Sequence, residues 1–204
     1  MSAAARKIAA MPVRQNAARQ NATRDRFIEM TARLMSRRGY AAVGLNEIVE
    51  KSGAPKGSLY HHFPGGKTEL AAAAVAWSAE RFAATVAEAI AASPSVAAGL
   101  RRTAETLAGW METSGFRDGS PLTIVAVETG AHDETLRQAC AAGYALTTGR
   151  IAAALEGEGR RPAEAADLAD WAVAALEGAV TLARVRQSAE PLRRLGRLLQ
   201  RSLS

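Results

Sequence analysis

A short run of hydrogen-bonding side chains in this sequence has the composition of a surface that contacts nucleic acid. Lys56 can donate to guanine acceptors in a DNA groove, while Ser58 and His61 offer smaller polar groups to base edges. Tyr60 can donate its hydroxyl to a phosphate, and Gly57 lets the backbone come close to a groove wall. Helix packing is the alternative for Tyr60. Together these residues predict a DNA-binding surface.

Two further sites can add contacts to the DNA backbone. Lys67 precedes a long Ala-rich segment, and the N–H groups at the start of such a helix also favour an anion. Arg24 and Arg26 lie on the preceding helix, where an ordinary solvated charge explains each of them equally well. We therefore expect Lys67 to neutralise a phosphate and leave the roles of both arginines open.

Two short helices joined by a tight turn are predicted to position the polar run. Apolar residues of the first helix recur at the spacing of one helix face, at Leu45, Ile48 and Val49. Gly53 suits a left-handed turn, and Pro55 fits the first position of the second helix. Leu59 and Phe63 then share the face that packs against the first helix. The pattern indicates a helix-turn-helix.

Residues 23–70 resemble the DNA-binding module of the TetR family of bacterial one-component regulators. The resemblance includes a first helix that ends RRGY, the second helix KGSLYHHF and a lysine shortly before Leu70. Within the family, GLNEI and SGAPKGSLYHHFPGGK are similar to the LmrA/YxaF branch. Many members have Thr or Ser where Val43 and Gly44 stand here. Gly44 is an acceptable N-cap without a hydroxyl, so any phosphate contact there must come from its backbone.

The resemblance implies an all-α, TetR-like fold of about nine helices, in which a three-helix head precedes a helical ligand-binding and dimerisation bundle. It also implies a homodimeric, ligand-responsive repressor. Such a protein binds a near-palindromic operator in double-stranded DNA and is released by a small, mostly apolar effector, often aromatic or drug-like. Activation of transcription, rather than repression, stays open as the alternative direction of regulation.

The excess of positive charge is confined to the N-terminal third of the 204 residues. Residues 1–70 hold 12 Lys and Arg against 5 Asp and Glu, whereas residues 71–204 hold 14 against 15. A basic segment beside a helix-turn-helix is the electrostatic footprint of phosphate binding. A solvated basic N-terminus is the simpler alternative, and a nonspecific architectural DNA-binding protein is the alternative function.

Helix-breaking residues divide the chain into three predicted segments. Residues 1–22 lack apolar periodicity and are expected to form a mobile basic arm, residues 23–70 the DNA-binding domain, and residues 71–204 the ligand-binding and dimerisation domain. No signal peptide and no apolar run near ~20 residues occurs, so we expect a cytoplasmic protein without a membrane segment.

The sequence offers no catalytic constellation. P-loop, dinucleotide, nucleophile-elbow and HExxH motifs are absent, and no cofactor or metal is predicted. His132 lies near acidic residues, but loop residues at a helix start explain that cluster better than catalysis does. Cys140, the only cysteine, is expected to be a small buried core residue.

Bulky apolar residues of the C-terminal segment are candidates for an effector cavity, with core filling as the alternative for each one. The candidates are Trp77, Phe82, Leu107, Trp110, Met111, Phe116, Leu122, Val125, Tyr144 and Trp171. Glu128, at the end of an apolar run, is the candidate polar anchor. Where the related branch often has Gly-Cys-Pro, this chain has Ser120 in place of the thiol.

One apolar stripe with small residues is the candidate dimer interface. Its members are Leu168, Trp171, Ala175, Leu176, Ala179 and Leu182. Gly178 within it is best tolerated where a second backbone packs closely. Burial of the same stripe within one subunit is the alternative.

Overall fold

The computed structural model describes the backbone of residues 3–129 and 131–203, with side chains from Asn21 onward except that of Lys56. Nine α-helices and one 3-10 turn form this described part, and no strand occurs in it. In order these are α1 (Ala3–Arg38), α2 (Leu45–Ser52), the 3-10 turn (Lys56–Ser58), α3 (Leu59–His62), α4 (Gly66–Ala91), α5 (Val96–Thr113), α6 (Pro121–Thr129), α7 (Glu134–Gly157), α8 (Pro162–Arg186) and α9 (Glu190–Leu203). The predicted all-α class is confirmed.

Two element boundaries differ from the sequence-based expectation. α1 begins at Ala3 rather than at Thr23, so the expected mobile arm continues the helix, in keeping with its many helix-favouring alanines. The side chains of residues 1–20 in this arm lie outside the described ones. Pro55 precedes the second helix instead of starting it, since its carbonyl accepts both the N–H and the hydroxyl of Ser58 and closes a 3-10 turn.

We call α1 to α3 the head and α4 to α9 the body. The centre of the head is Phe27, whose ring meets that of Phe63 edge to face at 6.4 Å, and Ile48 and Leu59 are buried beside them. This core continues into α4, α6 and α7, where Cys140 is buried as predicted. A second core fills the body between α5, α7, α8 and α9. No helix in the described residues is long and apolar enough to cross a bilayer.

Head and body meet at the C-terminal end of α1, where the last carbonyl groups have no partner within the helix. The Gly119 N–H donates to the Ser36 carbonyl at 2.8 Å, and the Arg184 guanidinium donates to the Arg37 carbonyl at 2.8 Å. The charge of Arg184 also complements the negative end of the α1 dipole. Arg37 in turn pairs with Asp118 at 2.7 Å. Donors of the body therefore cap the first helix of the head.

Glu128 adds a further contact between body and head. Its carboxylate accepts a hydrogen bond from the Ala41 N–H at 3.0 Å, across the turn that follows α1. A Cβ on Gly39 would lie 1.8 Å from the Glu128 Oε1 atom, and Gly39 has a φ of +83°, which L-residues rarely adopt. Glycine at this position therefore lets the carboxylate reach the turn.

Replacing Gly39 by alanine should lower the free energy of unfolding by about 1–3 kcal/mol, because the backbone is left-handed and Glu128 must move. Urea denaturation of the full chain measures the change. Gly149→Ala is the matched control, since Gly149 lies exposed within α7 with open space around it. That variant should be more stable by about 0.5–1 kcal/mol. Equal stability of both variants would contradict the close contact at Gly39.

Candidate DNA-binding surface and ligand cavity

The turn between α2 and the 3-10 segment has the geometry of a helix-turn-helix. Gly53 follows α2 with a φ of +61°, the left-handed conformation predicted for it. Arg26 of α1 donates to the Gly53 carbonyl at 3.3 Å, so the turn is held from the first helix. Gly44 is the N-cap of α2, without a side-chain cap and with open space around it. Its backbone is therefore accessible, as a backbone contact to phosphate would require.

The predicted DNA-contacting residues lie around the 3-10 turn and α3. The Tyr60 side chain is 65% exposed, which disfavours helix packing as its role. His61 and Gly57 are also exposed, and a Cβ on Gly57 would meet nothing within 4 Å. Ser58 is half-buried, and its hydroxyl already donates to the Pro55 carbonyl at 2.7 Å. The Lys56 side chain lies outside the described ones.

Lys67 and Arg24 both contact aromatic rings of the head. The Lys67 ammonium lies 4.3 Å from the centre of the Tyr40 ring and 3.4 Å from the Ala41 carbonyl. Burial lowers the pKa of Lys67, although the charge of Glu128 opposes that shift. The Arg24 guanidinium lies 5.3 Å from the centre of the Phe63 ring. A role in DNA binding stays a prediction for both, beside these contacts within the protein.

A polar corner of four side chains lies between α6, α7 and α8. The Ser120 hydroxyl donates to Glu177 Oε1 at 2.9 Å, and the Thr123 hydroxyl donates to Glu177 Oε2 at 2.7 Å. The Tyr144 hydroxyl lies 2.8 Å from that of Thr123. Burial raises the pKa of Glu177, and burial likewise raises the pKa of Tyr144 to about 12. Tyr144 is thus a hydrogen-bond donor at neutral pH.

Next to this corner, a cavity of about 530 Å³ opens between the head and the body. Most of its walls are apolar, which is typical of small-molecule sites. Its lining consists of Glu29, Ala32, Arg33 and Ser36 of α1, Trp77, Ser78, Arg81 and Phe82 of α4, Leu107, Trp110 and Met111 of α5, Asp118, Gly119, Ser120, Pro121 and Leu122 at the start of α6, and Leu176, Glu177 and Val180 of α8.

The structure brings together about half of the predicted ligand-binding residues. Those that line the cavity are Trp77, Phe82, Leu107, Trp110, Met111 and Leu122. Five others lie elsewhere. Val125 is fully buried in the head core, Phe116 packs against the body core and Tyr144 belongs to the polar corner. Trp171 lies exposed on α8, and Glu128 binds the turn after α1.

Two parts of the cavity wall were not predicted from the sequence. α1 was expected to belong to the head alone, although Glu29, Ala32, Arg33 and Ser36 line the cavity. Glu177 also lines it, and the available signal was that Glu177 is the only charged residue between Trp171 and Thr181 of α8. Leu176, predicted for the dimer interface, is 1% exposed and lines the cavity instead.

The residues predicted for the dimer interface lie on two different faces of α8. Leu176 and Ala179 are buried within the subunit, and Leu168 packs against the body core. Trp171 and Leu182 are exposed, and Ala175 is half-buried. The outer face of α8 carries residues at alternating spacings of four and three: Trp171, Ala175, Gly178, Leu182 and Val185. That spacing is typical of a helix that packs against another helix.

Among the described residues, no group of three His, Cys, Asp or Glu side chains is arranged to hold a metal ion. His132 lies exposed in the turn before α7. Asp133 caps that helix by accepting the Leu136 N–H at 3.0 Å, which is the structural role weighed above for this acidic cluster.

Comparison with known proteins gives the same family for both parts of the chain. Residues 27–74 match bacterial regulatory proteins of the tetR family, and residues 96–198 match the C-terminal domain of LmrA/YxaF-like transcriptional regulators. The HTH-type transcriptional regulator LmrA of Bacillus subtilis is 32% identical over 170 residues, which cover 83% of this chain and 90% of LmrA.

A second relative and a solved structure extend the likeness. The HTH-type regulator MT0206 of Mycobacterium tuberculosis is 34% identical over 185 residues, covering 88% of this chain and 93% of that protein. A crystal structure of a TetR transcriptional regulator from Legionella pneumophila has a TM-score of 0.76 at 18% identity, covering 88% and 96% of the two chains. At that identity, the structural likeness supports the fold alone.

Replacing Lys67 by alanine should weaken binding to all DNA duplexes alike and lower the slope of log affinity against log salt by about 1. Fluorescence anisotropy over a salt series measures both quantities. Thermal unfolding must accompany it, because Lys67 also contacts Tyr40. Arg150→Ala, which removes an exposed charge from α7, should leave the slope unchanged. An unchanged slope for Lys67→Ala would exclude that residue from the DNA contact.

Burial, and then the neighbouring charges of His61 and Arg24, hold the pKa of His62 below its ordinary value of 6.5. The stability that the neutral imidazole contributes is therefore complete above about pH 6.5, and it is lost as the pH falls from there through the lower pKa of the folded protein. Between about pH 7.5 and about pH 5.5, the His62→Gln variant should lose less thermal stability than the wild-type protein. His132→Gln, in the turn before α7, is the exposed control. Parallel pH profiles of wild type and His62→Gln would contradict this assignment.

Proposed function

Because this chain belongs to the TetR family of DNA-binding transcriptional regulators, we propose that it is a repressor released from its operator by a small molecule. Its relatives are transcriptional regulators rather than enzymes.

The observation that supports a ligand response is a cavity with walls from both the head and the body. Ser36 of α1 lines the cavity and also accepts the hydrogen bond from Gly119, another residue of its wall. Asp118 lines the cavity and pairs with Arg37. A molecule in the cavity therefore touches the residues that fix the position of the head.

Ligand binding and DNA binding would be coupled through an equilibrium between two positions of the head relative to the body. A ligand can shift that equilibrium only by as much as its affinities for the two positions differ. The contacts at the end of α1 supply such a difference, because a change at Gly119 or Asp118 alters the capping of that helix. Apolar walls and a volume of about 530 Å³ suit a small, mostly apolar effector.

The outer face of α8 supports a dimer with a second copy of this chain, as is typical of the family. Trp171, Leu182 and Val185 are large apolar side chains left exposed on it, and Val185 is 77% exposed. A Cβ on Gly178 would meet nothing within 4 Å, which leaves room for a second backbone. Two-fold symmetry would present two heads to half-sites roughly 34 Å apart, and hence to a near-palindromic operator.

Selection of bound sequences from a random DNA pool tests the proposal. We expect a near-palindromic consensus, and a reporter that carries it should be repressed by the protein. Salt-dependent binding without preference among sequences would instead support an architectural DNA-binding protein. Activation of the reporter would show that the protein is an activator and would contradict the proposed repression.

Replacing Trp110 by alanine should change the response to effectors more than the affinity for the operator. Trp110 lines the cavity and is 50% exposed, so its removal costs little core packing. Effectors are first found by thermal-shift screening of small apolar molecules, and operator release is then measured by anisotropy. Trp171→Ala, on the outer face of α8, should weaken dimerisation and leave effector affinity unchanged. The reverse pattern would make Trp110 a packing residue only.

A further inference from the structure

We propose that the effector carries a protonated amine on an apolar body and that the amine pairs with Glu177 in the cavity wall. This inference rests on the proposed ligand site and names the chemistry that the site selects. It assigns Glu177, rather than Glu128, as the polar anchor of the cavity.

The first support is the direction of the hydrogen bonds around Glu177. Its two carboxylate oxygens accept from the hydroxyls of Ser120 and Thr123. Since Thr123 uses its only hydrogen for Glu177, the Tyr144 hydroxyl must donate to Thr123 in the bond between them. Two hydroxyls therefore donate to one carboxylate, and the Tyr144 hydroxyl supports one of these two donors by donating to Thr123. Such an arrangement stabilises a negative charge.

The second support is the position of this negative charge. Among the described residues, no Lys, Arg or His side chain forms an ion pair with Glu177. Arg184, two turns further along α8, donates to the Arg37 carbonyl. Arg81 lies over the Trp77 ring, 4.7 Å from its centre. Arg184 and Arg81 are thus directed to other groups, and Arg33, which also lines the cavity, forms no ion pair with Glu177. In the part of the chain that the structure describes, hydroxyls alone donate to the Glu177 carboxylate.

The third support is the surroundings of the carboxylate. Glu177 is half-buried, and Leu176, Val180 and Leu122 are buried apolar residues of the same cavity wall. Burial raises the pKa of Glu177, which reflects the cost of an uncompensated charge at this position. A ligand cation compensates that charge, whereas a ligand anion adds to it. The apolar walls meanwhile accept the body of the ligand.

Three probes with the same apolar body test this preference: naphthylethylamine, naphthylethanol and naphthylacetate. Isothermal titration calorimetry with the full chain measures the affinity of each probe near neutral pH. The amine should bind at least about tenfold more tightly than the alcohol, and the acid should bind most weakly. Failure of the amine to bind, or equal affinity for the alcohol, would overturn the proposal without any variant.

Two carboxylate variants locate the preference. Glu177→Gln should remove it, because the amide keeps the size of the side chain but loses its charge. Glu29→Gln should retain it, since Glu29 also lines the cavity but is exposed to solvent. Glu177→Asp keeps the charge and should retain part of the preference. A preference that survives in Glu177→Gln would place the amine elsewhere. Thermal unfolding checks that each variant folds.

Operator release, measured separately by anisotropy, distinguishes this proposal from the proposed function. Glu177-dependent binding of the amine without operator release would contradict the ligand-responsive repressor and leave the amine site standing. Operator release by the alcohol as effective as that by the amine would contradict the role of Glu177. That second result would leave the ligand-responsive repressor standing.

Discussion

The capping of α1 by the body is the interaction on which the arrangement of this molecule depends. A helix that ends at Arg38 leaves carbonyl groups without partners, and burial of such groups without donors is costly. Gly119 and Arg184 provide the donors, and both belong to the body. Groups outside the head therefore help to set its position, together with the apolar core that the head shares with α4, α6 and α7.

The segment between α5 and α6 connects this junction with the cavity through three consecutive residues. Asp118 pairs with Arg37, Gly119 donates to the Ser36 carbonyl, and Ser120 donates to Glu177. All three also line the cavity. A small shift of this backbone would change a salt bridge and a helix cap of the head together. Contiguous contacts of this kind are one physical route by which two sites can be coupled.

α8 presents different residues to three environments. Its inner face contributes Leu176 and Glu177 to the cavity, its outer face exposes Trp171 and Leu182, and its last turns place Arg184 at the end of α1. Residues of one helix thus line the cavity, face the solvent and contact the head. In a dimer built on the outer face, the cavity of each subunit would lie one helix away from the interface.

The sequence by itself determined the fold class and the helix-turn-helix. Those depend on local signals, such as the glycine at position 53 and the apolar spacing around Ile48, which act over one or two helical turns. The start of α3 was misplaced because the bonds from Ser58 to the Pro55 carbonyl were not evident from composition.

Only the tertiary structure decided the composition of the cavity and the role of each carboxylate. Glu128 and Glu177 both follow apolar runs, so the sequence could not tell which one faces the cavity. The packing of α6 places Glu128 against the turn after α1, whereas the packing of α8 places Glu177 beside Ser120. Helical periodicity gives the direction of a side chain around its own helix. The partner on that side depends on contacts between residues far apart in the chain, which no local pattern contains.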